Sequence, residues 1–275
     1  MSMNFYTNIF IPFLTFFDEN GIGSTKGLFS IDHLIFTILA ILTVTLLLIF
    51  TRKMTNEKIE KMTKILFFVV TLLEILKIIW NLTLRTDKSP NNWVPLYFCS
   101  LFIYALGMVS FGKGKIKEIG VLWIVYGQII GALAFILYPS SSLEIQPLIH
   151  VLSIHSWIYH VISLYVGLLF IITNYYKTYD NNEHVDNNRH NFLYYFVSIM
   201  AVELLVYIFN LICHTNLMFL NEPGVVPVLE LVVKVFGYFY PLIIATVQAG
   251  GTFLGGFLIV KLINLIKKKR IKDGN

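Results

Sequence analysis

Charge is what this sequence has least of. Asp, Glu, Lys and Arg together make up 13% of its 275 residues, against about 25% in an ordinary soluble domain. That scarcity excludes a water-soluble globular chain. Cysteine is scarcer still. The two present, Cys99 and Cys213, give neither a metal-ligand spacing nor a disulfide framework, although both are expected on the same side of a membrane, where a bridge is conceivable. The N-terminus, MSMNFYTNIFIPFLTFFDENG, has neither the basic start nor the small-residue cleavage site of a signal peptide, so none is expected. There is no low-complexity tract and no internal repeat. The net charge of +5 comes largely from loops and tail. It speaks of membrane orientation and anionic lipid, and nucleic acid is not expected as a partner.

What is present is apolar length. The composition is 56% hydrophobic, and a spanning helix needs about 20 mostly apolar residues. Seven stretches qualify: Phe29–Phe50, Lys64–Leu84, Trp93–Phe111, Ile119–Tyr138, Leu148–Tyr175, Asn191–Cys213 and Gly237–Ile266. The expected architecture is all-α, a polytopic helix bundle of about seven membrane spans, and one bundle uses residues 1–275 as a single domain. Residues 1–28 and the run Pro227–Phe236 read as interfacial segments, and 267–275 as a basic cytoplasmic tail. Basic residues alternate loop by loop. Arg52, Lys53, Lys58, Lys61 and Lys64 mark the first loop, Lys113, Lys115 and Lys117 the third, Lys177 and Arg189 the fifth, and Lys267–Arg270 with Lys272 the tail. The intervening loops are poorer. The N-terminus is therefore expected outside and the C-terminus inside a cell membrane.

Polar residues inside lipid are costly and mark functional sites by default. Three histidines spaced by five, His150, His155 and His160, lie in the fifth span. His150 falls at its boundary, where solvation is expected. His155 and His160 stand about 140° apart around a helix, so at most one should face any given site, and His160 is the deeper. His33 sits at the mouth of the first span. Glu74 and Lys77 share a face of the second and suit a structural ion pair. Cys99 lies about two turns into the third, and Glu203, Tyr207 and Asn210 follow one face of the sixth. These groups converge on the outer half of the bundle, as a polar chamber. The expected substrate-binding or chamber set is His33, Lys77, His155, Glu203, Asn210 and Asn216, with no metal and no cofactor. Gly127 and Gly131, and again Gly251 and Gly255, form GxxxG pairs. Packing within the chain is the expected role, with oligomerisation as the alternative.

Several motifs, taken in order, resemble the YwaF-like integral membrane proteins of low-GC bacteria and the related eukaryotic transmembrane-protein-164 family. FSIDHLIF carries His33 at the start of the first helix. ILEILKIIW carries Glu74 and Trp80. WVPLYFCSL holds Pro95, Leu96 and Cys99 of a Pro-Leu-His-Leu-Cys-Asp pattern. YHVISLYVGLLF holds His160. HTNLMFLNEP holds Thr215, Asn216, Met218, Phe219, Leu220 and Pro223. Tyr97, Ser100 and Leu217 stand where the family has His, Asp and Tyr.

The eukaryotic relatives are lipid acyltransferases that use a cysteine and a histidine, and their cysteine directly follows the proline, at the place of Leu96. The resemblance implies an acyltransferase or lipid hydrolase acting on membrane lipids, with Cys99 as nucleophile and His160 as its base. Asn210 or Asn216 would support an oxyanion. The alternative is a transporter or lipid- or solute-binding protein using the same chamber without chemistry, though no inverted repeat supports it. A third reading is polar glue alone, which leaves the one-sided clustering unexplained.

Overall fold

The computed structural model describes residues 16–21, 27–177, 188–224 and 227–273, without the side chains of 20, 140, 141, 227, 228 and 271–273. Most of the expected N-terminal interfacial segment, the middle of the fifth loop and the end of the basic tail thus lie outside the described residues. Every regular element described is helical. The long ones are α1 (Ile31–Thr51), α2 (Asn56–Thr83), α3 (Leu101–Phe111), α4 (Lys115–Leu137), α5 (Val151–Ile172), α6 (Asn188–Cys213) and α7 (Tyr240–Asp273).

Six of these elements, all but α3, are long and apolar enough to cross a membrane, the last together with the helix Pro227–Phe236 before it. The third expected span is different. Only Leu101–Phe111 is helical, and residues 94–100 form an irregular turn. Proline disfavours helix at the residue before it and offers no N–H of its own, so Pro95 stops the short helix Pro90–Trp93 from running on. Among the described residues there are therefore six helices long enough to cross a membrane, one fewer than the seven expected, and the third expected span is broken.

The helices alternate in direction. Hydroxyl and imidazole groups near the start of α1 meet the end of α4: Thr37 Oγ1 and His33 Nε2 both donate to the Ile136 carbonyl, at 3.2 and 3.3 Å. At the opposite end Lys117 pairs with Glu60 at 2.6 Å, and Lys267 donates to the Ile171 carbonyl at 2.8 Å. One end thus gathers basic residues such as Lys117 and Lys267. The other gathers the longer connections at 84–100, 138–150 and 214–239.

α4 and α5 form the centre. Their most apolar stretches are 72% and 67% buried, against 17% for α1 and 22% for each of α2 and α6. The peripheral helices turn outward large side chains such as Leu34, Phe68, Leu205 and Leu254. Only a lipid environment accommodates such continuous apolar faces on closed-helix backbones.

Small residues bring α7 onto α4. A Cβ on Gly256 would stand 2.5 Å from the Tyr126 backbone, and one on Gly255 would stand 2.7 Å from Ile130. α4 answers with a π-helical turn over Trp123–Gln128, the form of bulge that recurs at functional sites. Gly127 faces Tyr195 of α6, and Gly131 faces Phe98. Gly251 has nothing within 4 Å.

Candidate functional site

The site is built around the broken third span. Cys99 lies in the turn just before α3, where Phe102 N–H donates to the Cys99 carbonyl at 3.1 Å. Irregular backbone at membrane depth needs partners within the protein. Two side chains supply them. Gln128, in the π turn of α4, donates to the Phe98 carbonyl at 3.0 Å, and Tyr159 of α5 donates to the Ser100 carbonyl at 3.2 Å. The carbonyls on both sides of Cys99 are therefore fixed from two different helices. Neither Gln128 nor Tyr159 stands out in the sequence reading. A glutamine within an apolar span was the one available signal.

Beside this turn lies a buried charge cluster. Glu74, 4% exposed, pairs with Lys77 one turn on and stands 3.3 Å from His155 Nε2. The second contact is at ion-pair distance without hydrogen-bond alignment, and His155 Nδ1 has no hydrogen-bond partner. The charges of Lys77 and Glu74 both act on the Cys99 thiol. His155 and Lys77 are also within electrostatic range of His160. His160 lies flat on Phe135, with ring centroids 3.8 Å apart, and its Nδ1 bonds the Ser156 carbonyl at 2.7 Å. The two histidines thus diverge as their spacing requires: His155 turns to α2, His160 to α4. Tyr159 packs between them, 5.8 Å from each ring.

Lys77, Thr83 and His155 are polar members of an otherwise apolar cavity of about 450 Å³ between α2 and α5. Leu73, Leu76, Ile79, Trp80 and Ile158 line it, and Phe16 and Phe17 close over it. Leu76 and Ile79 are also exposed on the outer surface, so the cavity opens laterally toward lipid. Its volume falls within the ~300–1,000 Å³ typical of small-molecule sites.

The remaining expected residues have other engagements. His33 Nδ1 accepts from Phe29 N–H at 3.1 Å at the start of its own helix and Nε2 donates to Ile136, so both ring nitrogens are engaged and one of them ties α1 to α4. Asn210 spends its amide on the next loop: Oδ1 accepts from Thr215 Oγ1 at 2.7 Å and from Leu217 N–H at 3.0 Å, and Nδ2 donates to the Leu217 carbonyl at 2.9 Å. Asn216 Oδ1 accepts from the N–H groups of Asn221 and Glu222, both at 3.0 Å. These amides hold a turn in which His214, Met218 and Phe219 have positive φ, a conformation that needs such support in bulky residues. The turn sits over the site, with the Phe219 ring 6.2 Å from that of Tyr97. Glu203 lies elsewhere, in a cavity between α6 and α7.

His150 is fully buried instead of solvated. It caps α5, accepting from Leu152 N–H at 3.2 Å, beneath Trp80. Both cysteines are free. Among the described residues, no group of three or more His, Cys, Asp or Glu side chains is arranged to hold a metal ion.

These features define an integral membrane protein with one broken apolar helix and a buried Glu74–Lys77–His155 cluster. A sequence model of the TMEM164 family matches residues 28–259. The chain belongs to the TMEM164 family. No curated protein and no solved structure matches it.

Proposed function

We propose that the protein is a membrane-embedded lipid acyltransferase or lipid hydrolase with Cys99 as its nucleophile. The observation that carries this reading is the buried Glu74–Lys77–His155 cluster, whose Lys77 and His155 line an apolar cavity suited to an acyl chain. A thiolate needs positive charge nearby, and Lys77 and the N-terminus of α3 supply it.

The sequence resemblance points to His160 as base. The ion pair with Glu74 favours His155, because a carboxylate beside a histidine stabilises the imidazolium formed when the ring takes a proton. Nδ1 takes the thiol proton. Sγ attacks the ester carbonyl of a lipid, forming a thioester, and the departing alkoxide takes the proton back. A second hydroxyl, from an acceptor lipid or water, then attacks the thioester, losing its proton to the same nitrogen and releasing the thiol. With Asn210 and Asn216 engaged in the loop, Lys77 is the group placed to stabilise developing negative charge. We assign the basic end of the bundle to the cytoplasmic face of the cell membrane, on the positive-inside rule.

Lipid profiling of cells with and without the protein tests the reading, with Cys99→Ala, His155→Ala and His160→Ala variants alongside. A lipid class whose acyl composition depends on Cys99 and His155 supports it. The buried charge cluster also suits a transporter. A silent Cys99→Ala together with a dead Glu74→Gln selects that alternative.

A further inference from the structure

The second cavity, between α6 and α7, has a different chemistry. It encloses about 370 Å³, lined by Met200, Leu204, Leu220, Leu242 and Ala245 with Glu203, Tyr207, Tyr238 and Phe239. Glu203 is 1% exposed, and neither of its carboxylate oxygens has a hydrogen-bond partner. The neighbouring Tyr195 hydroxyl is engaged with Thr252 at 2.7 Å. Among the described residues, no Lys, Arg or His lines the cavity. A buried acidic group without donors or counter-charge is among the costliest arrangements a membrane protein can hold.

We propose that this cavity is a binding site for a phosphate-free amphiphilic amine, its ammonium on Glu203 and its apolar body among the leucines. A primary ammonium brings three donors and the missing charge, whereas an alcohol brings one donor and no charge. Tyr207, one turn above Glu203, and the rim residues Tyr238 and Phe239 add aromatic rings of the kind that attract organic cations. Leu204, Leu242 and Tyr238 are also exposed on the outer surface, so entry is from the bilayer. Depth argues against an aminophospholipid. Glu203 lies ten residues before the end of α6 at Cys213, about 15 Å along the axis. A headgroup drawn that far in would leave its phosphate among apolar side chains with no cation to meet it.

The test uses the full chain in nanodiscs and three photoreactive probes with the same alkyl chain: a primary amine, the matching alcohol and an aminophospholipid. The amine is expected to label α6 and the segment 238–245, and labelling should fall about ten- to hundredfold in Glu203→Gln, the loss expected for a charged hydrogen bond. Ala245→Phe, which fills the cavity and leaves the carboxylate in place, should abolish labelling equally. If Glu203→Gln does not fold, the Ala245→Phe result decides. Equal labelling by the alcohol, undiminished labelling in the variant that folds, no labelling by the amine, or preferential labelling by the aminophospholipid would overturn the proposal.

Discussion

Two glycines five residues apart on α7 should respond oppositely to the same substitution. Gly256→Ala places a methyl 2.5 Å from both the Cα and the carbonyl oxygen of Tyr126. Those atoms are backbone, so no rotamer change relieves the clash and the two helices must separate. Overpacking of this kind costs about 1–3 kcal/mol, against roughly 0.5–1 kcal/mol gained by replacing a mid-helix glycine. The net expectation is a loss of about 1–2 kcal/mol. Gly251→Ala meets nothing within 4 Å and keeps only the gain. In a chain of this size each kcal/mol moves the melting temperature by roughly 2–4 °C. Thermal unfolding of the purified protein in detergent should therefore place Gly256→Ala below, and Gly251→Ala at or above, the parent. Separation at Tyr126 also disturbs the π turn that presents Gln128 to the Phe98 carbonyl, so thiol labelling of Cys99 should change in Gly256→Ala alone. If both variants melt together, or Gly256→Ala melts higher, the close approach of α7 to α4 is wrong.

Three further outcomes are expected. Gln128→Leu leaves the Phe98 carbonyl unpaired in a dry interior, a cost of about 1–3 kcal/mol; it should lower thermal stability by several degrees and cut any Cys99-dependent lipid turnover, while Gln128→Glu should restore neither. Asn210→Ala removes three hydrogen bonds from the strained 214–219 turn, so proteolysis should cut that turn faster, and Asn210→Asp, which keeps Oδ1, should be cut at an intermediate rate. Burial pushes the His150 imidazole below its ordinary value of 6.5. Above that value both the buried and a released ring are neutral and packing around His150 does not depend on pH. Below it only the released ring gains a proton, so packing weakens as pH falls until the lower, folded-state value is passed. Hydrogen exchange at the start of α5 should accelerate below 6.5 and lose that dependence in His150→Asn.

The helices themselves were legible because lipid imposes one rule, closed backbone hydrogen bonding over a fixed thickness. What hydropathy could not see was conformation within an apolar stretch. Trp93–Phe111 is apolar throughout, yet Val94–Ser100 is not helix. Pro95 was the visible cue, but a proline alone kinks as readily as it breaks, and the break here is held open by Gln128 and Tyr159 from distant positions. The pairing of Glu74 with Lys77 followed from a spacing of three. Its contact with His155 required knowing that α2 packs on α5. His150 was read as solvated because it stands at a span boundary; Trp80 covers it, and that burial is tertiary. The amides of Asn210 and Asn216 looked like ligand groups, since an intramembrane amide must bond to something. The strained turn that takes them is set by three positive φ angles that sequence alone does not announce.

The broken third span gives these observations a common cause. A continuous helix through Cys99 would bond every backbone group to its own turns and would carry the thiol as one more buried side chain. Starting the helix only at Leu101 instead presents a helix N-terminus there, with its positive dipole end toward the turn that holds Cys99 and its first N–H groups bonded to the carbonyls of Phe98, Cys99 and Ser100. The same break requires donors from α4 and α5, and Tyr159, which supplies one, lies on α5 between the two histidines. The π turn in α4 is what swings Gln128 to the other carbonyl, and Gly256 is what lets α7 press against that turn. The packing that satisfies an irregular backbone in lipid is therefore the same packing that holds the Cys99 turn and sets Tyr159 against His155.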